Sequence, residues 1–266
     1  MRKISIDTKK YVVPSTWNEF NAEQLEMLAN FVEAGVSPMT LKINMLLFCT
    51  GFNVALETGT YSSEYYTFII DKELVKLSLE QIVQLASAFD FLMDSNGTLH
   101  SNLTVNMFLD KYPDKIFCDN ALGNMIYEQF INLQLLQRKT DSEAGFDRFI
   151  GVLISNPETF DTNKIDEYAA VAASLPKRVK ICLLWLYNGT MELIRNKFHK
   201  VFGGGVSSKE VTDSSIIDVQ QNIMNVLANN DVTKIEDIRK SLMWDVFYSC
   251  QSLIEEYEMK MNALKQ

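Results

Sequence analysis

Apolar positions along this chain recur mostly at spacings of three and four, the period of a helix with one buried face. The exception is the start. Ile4 and Ile6 alternate with polar residues, Thr8-Lys9-Lys10 is a polar turn, Tyr11-Val12-Val13 follows, and Pro14 closes the extended stretch. This predicts a short β ribbon. Beyond Trp17, Asn21 and Gln24 form a capping-box pattern ahead of the stripe Leu25, Leu28, Ala29 and Val32, with Gly35 as the stop. Ser37-Pro38 opens a second helix through Leu41, Met45 and Phe48 to Gly51.

Residues 60–77 are rich in strand formers at 65–70 and predict a short strand or hairpin. Ser78 and Gln81 then repeat the capping box for a helix carrying Ile82, Leu85, Ala86 and Phe89, expected to end near Asn96-Gly97. Between 98 and 118 regularity fades, and residues 104–108 are compatible with a strand or one short helix. Leu122, Met125, Ile126 and Phe130 have helical spacing, as do residues near 146–155 and an alanine-rich run at 164–175.

Pro176 to about Lys200 predicts a strong helix, with Asn188-Gly189 as a point of bending or splitting. Gly203-Gly204-Gly205 ends it. A helix at about 214–229 comes next. Then the longest predicted helix begins, capped by Thr233 and Glu236. Its stripe is Ile235, Ile238, Leu242, Val246, Cys250, Leu253, Tyr257, Met261 and Leu264. At 1.5 Å per residue it would span roughly 45 Å, so its stripe needs a partner, either its own domain or another chain. The predicted fold is mainly α: a multi-helix bundle with a small N-terminal β ribbon and a long C-terminal helix. Residues 1–202 form the helical domain, 203–213 the linker and 214–266 a C-terminal helical hairpin.

Composition agrees with a large core: 47% of residues are apolar and 22% charged, with few prolines and glycines. A net charge of -9 disfavours nucleic acid and anionic lipid as partners. No apolar run reaches the roughly 18–20 residues of a membrane span, and no secretory segment opens the chain. The expected setting is the cytoplasm, with Cys49, Cys118, Cys182 and Cys250 as reduced, buried thiols.

Candidate chemistry is sparse. His100 and His199 are the only histidines, too few for the common His-rich metal sites. A helix precedes the glycine run at 203–205 where a phosphate loop needs a strand, and Gly-Lys-Ser/Thr is missing. Asp94-Ser95-Asn96-Gly97 fails as a calcium loop, because Leu92 and Leu103 fall on ligand positions. No nucleophile elbow is present. We expect no enzyme, no cofactor and no metal.

One asymmetry stands out. Lys177, Arg178, Lys180, Arg195, Lys197 and Lys200 face a single acid, Glu192, between 176 and 200. This is either a docking surface for an acidic partner or ordinary solvated and dipole-complementing charge. With Leu253, Tyr257 and Met261 on the last helix, these cations are the candidate partner-binding residues.

Three runs carry a resemblance. The first is Tyr11-Val12-Val13-Pro14-Ser15-Thr16-Trp17-Asn18-Glu19-Phe20, with Glu23-Gln24-Leu25. The second is Leu103-Thr104-Val105-Asn106, Phe117, Asn120-Ala121-Leu122-Gly123-Asn124 and Glu128-Gln129-Phe130. The third runs from Leu175-Pro176 through Leu184-Trp185-Leu186-Tyr187-Asn188-Gly189 to Val201-Phe202-Gly203-Gly204. In this order the chain resembles a family of proteins encoded by tailed phages and prophages of Bacteroidetes. It departs from the family around 109–119, where Pro113 is the only turn former. The family's genes lie among tail-morphogenesis genes, near the tape-measure gene. The resemblance therefore implies a non-enzymatic tail-assembly role, similar to a tail assembly chaperone, with a phage tail or tape-measure protein as partner. The alternatives are a permanent virion subunit, such as a connector, and an enzyme of an unfamiliar kind. A homo-oligomer is left open, as is a place in the virion rather than the host cytoplasm.

Overall fold

The computed structural model describes residues 1–6, 9–54, 65–70, 73–202 and 213–264. The fold is mainly α, and the chain divides into two units, Met1–Asn102 and Leu103–Gln266.

In the first unit the alternating start forms β1 (Arg2–Ile6) and β2 (Lys9–Val13), antiparallel with Ile4 opposite Tyr11. Ile4, Ile6 and Val13 are buried. The two capping boxes form as the side-chain chemistry dictates. The Gln24 amide donates to Asn21 Oδ1 at 2.9 Å and opens α1 (Ala22–Glu33). The Gln81 amide donates to Ser78 Oγ at 3.2 Å and opens α3 (Leu79–Ala86). Between them, Ser37 caps α2 (Pro38–Thr50), which ends at Gly51 with φ 71°. That left-handed value is why glycine serves there. Three strands, β3 (Asn53–Val54), β4 (Tyr65–Ile70) and β5 (Glu73–Ser78), form an antiparallel sheet in that order. A core of Ile6, Phe52, Phe68, Leu77 and Ile82 joins sheet to helix.

The α3 helix stops ten residues before the expected Asn96. It tightens into a 3₁₀ stretch, Ser87–Leu92. A 3₁₀ turn eclipses residues three apart, so both Phe89 and Leu92 reach the core, and both are fully buried.

The second unit begins with a stretch that is neither strand nor helix at 104–108, yet it buries Leu103, Phe108, Ile116 and Cys118. Asparagines replace a ladder here. The Asn106 amide donates to Asn120 Oδ1 at 2.7 Å, and its side chain donates to the Cys118 carbonyl. Asn124 exchanges two hydrogen bonds with Asp119 and donates to the Phe117 carbonyl at 2.7 Å. Ala121 and Leu122 both have φ of 50°, a left-handed strain of roughly 1–3 kcal/mol each. Thr104 and Trp244 hold it: the Ala121 amide donates to the Thr104 carbonyl, and Trp244 Nε1 donates to the Ala121 carbonyl at 3.0 Å.

Next come α4 (Tyr127–Gln137), α5 (Glu143–Ile154), α6 (Ile165–Ala173), α7 (Lys177–Lys197) and α8 (His199–Phe202). The small-residue packing foreseen at 164–175 meets a glycine. A Cβ on Gly151 would lie 2.5 Å from the Tyr168 carbonyl carbon, so only glycine lets α6 sit this close to α5. Helix α7 runs unbroken through Asn188 and Gly189. Last come α9 (Asp213–Leu227), α10 (Ile235–Lys240) and α11 (Met243–Ala263).

Two helix expectations are corrected by one contact. Leu122, Met125 and Ile126 are buried, but they precede α4 rather than belong to it. The predicted long C-terminal helix is interrupted at Ser241-Leu242, both extended. Ile126 and Leu242 pair as an antiparallel bridge. The Tyr127 amide donates to the Ser241 carbonyl at 2.9 Å and the Met243 amide to the Met125 carbonyl at 2.8 Å. Backbone groups spent across this bridge are not available to either helix. Thr233 does not cap: Asp231 accepts from its amide at 3.1 Å.

The domain expectation also changes. The division falls between residues 102 and 103, and α9 to α11 share a unit with α4 to α7. Inside that unit Tyr127 donates to Gln220, and Gln220 donates to Gln134 at 2.7 Å, a buried amide network fixing α9 to α4. The proposed linker, apart from Asp213 at the start of α9, lies outside the described residues.

Candidate functional site

Buried thiols are poor nucleophiles because the thiolate is costly to desolvate. Burial pushes the Cys49 and Cys118 thiols up to about 12 and Cys250 up to about 11. Cys118, Cys182 and Cys250 are buried as expected, while Cys49 is half-buried. Among the described residues no group of three or more His, Cys, Asp or Glu is placed to hold a metal ion. No helix among them is long and apolar enough to cross a membrane.

A mixed cleft of about 580 Å³ is lined by Asn124, Glu128, Asn156, Glu158 and Lys240. Most of its polar groups already serve the chain. Asn124 ties down the 117–119 loop, and Asn156 accepts from the Glu158 amide at 3.0 Å. Glu128 accepts from Thr162 at 3.0 Å, and Lys240 pairs with Glu236 at 2.9 Å.

The cations of 176–200 do not form one surface. Lys177 and Arg178 are exposed at the start of α7, and Arg195 and Lys197 at its end, roughly 25 Å away along the axis. Lys180 does not belong to any docking surface. It is buried and pairs with Asp147 of α5 at 2.6 Å. Its position puts it on the buried face with Val179 and Leu183, where an ammonium needs a counter-charge. Lys197 lies over the Tyr248 ring at 4.7 Å and the Trp244 ring at 5.4 Å. Lys200 pairs with Glu258 at 2.8 Å and, more weakly, with Glu255 at 3.9 Å. Its hydrogen bond to Glu258 raises its pKa. These two lysines clamp the end of α7 and α8 onto α11.

The three apolar candidates behave differently. Phe247, near the start of α11, is buried among Tyr127, Phe130, Phe198 and Phe202, with ring centroids 5.1–6.1 Å away. After Cys250 the stripe emerges: Leu253 is 40% exposed, Tyr257 65%, Met261 37% and Leu264 81%. Beside it runs α9. Val219, Ile223 and Val226 form one wall of a trough of about 690 Å³, and Leu253, Ile254 and Tyr257 form the other. Val219 and Val226 are themselves more than half exposed, so among the described residues the trough is open along its length. Glu256 and Lys260 at its rim pair with each other at 2.6 Å.

No family model, curated protein or solved structure matches the chain.

The α9 wall was missed from sequence. Its signal is the apolar spacing of four and three at Val219, Ile223 and Val226, ordinary in any helix. Nothing local says that this stripe faces a second, half-bare helix.

Proposed function

We propose that this chain is a non-enzymatic tail-assembly factor of a tailed phage. It acts as a chaperone that holds an amphipathic helix of a tail client, such as the tape-measure protein, in the trough between α9 and α11. The observation that carries this reading is the open apolar trough itself. Its walls are helices whose stripes continue into solvent, and such surfaces receive a helix presenting residues at i, i+4 and i+7. The lining between Val219 and Val226 extends about 10 Å along α9, two turns of a bound helix. A small apolar ligand is served by an enclosed pocket, whereas this trough is open. The phage setting comes from the sequence resemblance.

Co-expression tests the reading. A Bacteroidetes phage tape-measure protein produced with this chain should be more soluble than when produced alone. Substituting Tyr257→Ser together with Val226→Ser should remove most of the gain. Unchanged solubility in the presence of the intact chain rejects the proposal. Mass spectrometry of purified virions separates a chaperone, which is absent from the particle, from a permanent connector subunit.

A further inference from the structure

The stripe on α11 has an internal symmetry. Leu253 and Met261 lie four residues to either side of Tyr257, and Cys250 and Leu264 lie seven. Four and seven residues are close to one and two helical turns, so all five share one face. Two copies of this helix laid antiparallel, with Tyr257 on the two-fold axis, put Leu253 opposite Met261 and Cys250 opposite Leu264. An apolar residue then meets an apolar residue at every level.

Charge does not oppose this pairing. The acids near the axis, Glu255, Glu256 and Glu258, have cations of their own chain beside them: Lys260 lies 2.6 Å from Glu256, and Lys200 lies 2.8 Å from Glu258 and 3.9 Å from Glu255. The chain also carries both halves of the fit: an apolar trough, and beside it the exposed turns of α11 from Tyr257 to Leu264.

We infer that a second copy of this chain occupies the trough, the two α11 helices pairing antiparallel across a two-fold axis at Tyr257. Such an interface is isologous: one patch serves both subunits. Each copy lays its last turns against the Val219–Ile223–Val226 wall of the other. The contact is one helix roughly 20 Å long, the scale of a reversible complex rather than an obligate one. Competition between the second copy and a client helix rests on the functional reading above; the pairing itself does not.

The test uses the purified full-length chain alone, so its outcome is separate from that of the co-expression experiment. Sedimentation velocity over a rising concentration series should show a monomer–dimer equilibrium. Tyr257→Glu should move it to at least tenfold higher concentration, and Leu264→Glu should do the same. Both side chains are exposed, and unchanged far-ultraviolet circular dichroism verifies folding. In the double variant Leu253→Cys/Met261→Cys, oxidation with copper phenanthroline should give a covalent dimer, and each single variant far less. Within one helix these positions are about 12 Å apart, beyond the reach of a disulfide. A chain monomeric at every concentration overturns the inference. So does a dimer indifferent to both glutamate substitutions, or one in which Leu253→Cys alone cross-links as well as the double variant.

Discussion

Helices α7 and α11 are both twenty-one residues long, and they meet opposite fates. In α7 eleven residues are buried, spread from Val179 to Ile194. In α11 four are buried, and all lie between Met243 and Cys250. Both have an apolar stripe at helical spacing. What differs is the supply of neighbours: α5 and the turn at Asn120–Leu122 accompany α7, while among the described residues α11 outruns its cover after two turns. A stripe satisfied along its length makes a scaffold, and even its lysine at 180 is drawn into the interior. A stripe satisfied over half its length is left exposed over the rest.

The contrast breaks most visibly at the buried ion pair. Asp147→Ala strands the Lys180 ammonium in the interior and should cost about 3–5 kcal/mol, read as a lower urea midpoint. The double replacement Asp147→Leu/Lys180→Met should recover most of that loss. Next in size is a matched pair of truncations. Leu186→Ala in α7, where the side chain is 1% exposed, should cost about 2–5 kcal/mol. Leu253→Ala in α11 should change stability by less than about 0.5 kcal/mol, measured at a concentration where the chain is monomeric. Equal costs at the two sites would erase the distinction between scaffold and free face.

A smaller effect concerns the thiols. With burial holding Cys118 at about 12 and Cys250 at about 11, a thiol reagent at neutral pH should label them slowly in the native chain and rapidly in urea. The smallest effect is in the exposed clamp. The pKa of Lys200 is raised by Glu258, so its contribution is present below the ordinary lysine value of 10.5 and is lost as pH rises through the folded value. That of Glu256 is lowered by Lys260, so its contribution is present above 4.5 and is lost as pH falls. Any difference in α11 helicity between wild type and Lys200→Met/Lys260→Met should therefore be confined to the window between those limits and fade in high salt.

Much of the fold was legible, because much of it is local. The ribbon, the capping boxes at Asn21 and Ser78, and the stops at Gly35 and Gly51 follow from backbone chemistry within four residues. The asparagines at 106, 120 and 124 were visible in the resemblance, but their work was not. They hold a loop whose strands of contact join residues far apart in the chain. The trough was half legible: the spacing of Leu253 and Tyr257 marks one wall, whereas nothing in the basic stretch sets Lys180, buried against Asp147, apart from its exposed neighbours. Charge counted along a helix does not say which residue turns inward.

By itself the sequence determined the starts of α1, α2 and α3, the stops at Gly35 and Gly51, the mainly α class, and a C-terminal apolar stripe in need of a partner. Only the tertiary structure decided that the C-terminal helix breaks at Ser241-Leu242, that Lys180 is interior, that the chain divides at 102/103, and that α9 stands beside the exposed half of α11. The reason is the same in each case. Caps and stripes are set by groups a few residues apart, whereas a bridge to Ile126, a counter-charge at Asp147 and a second wall at Val219 come from segments that meet only when the chain is folded.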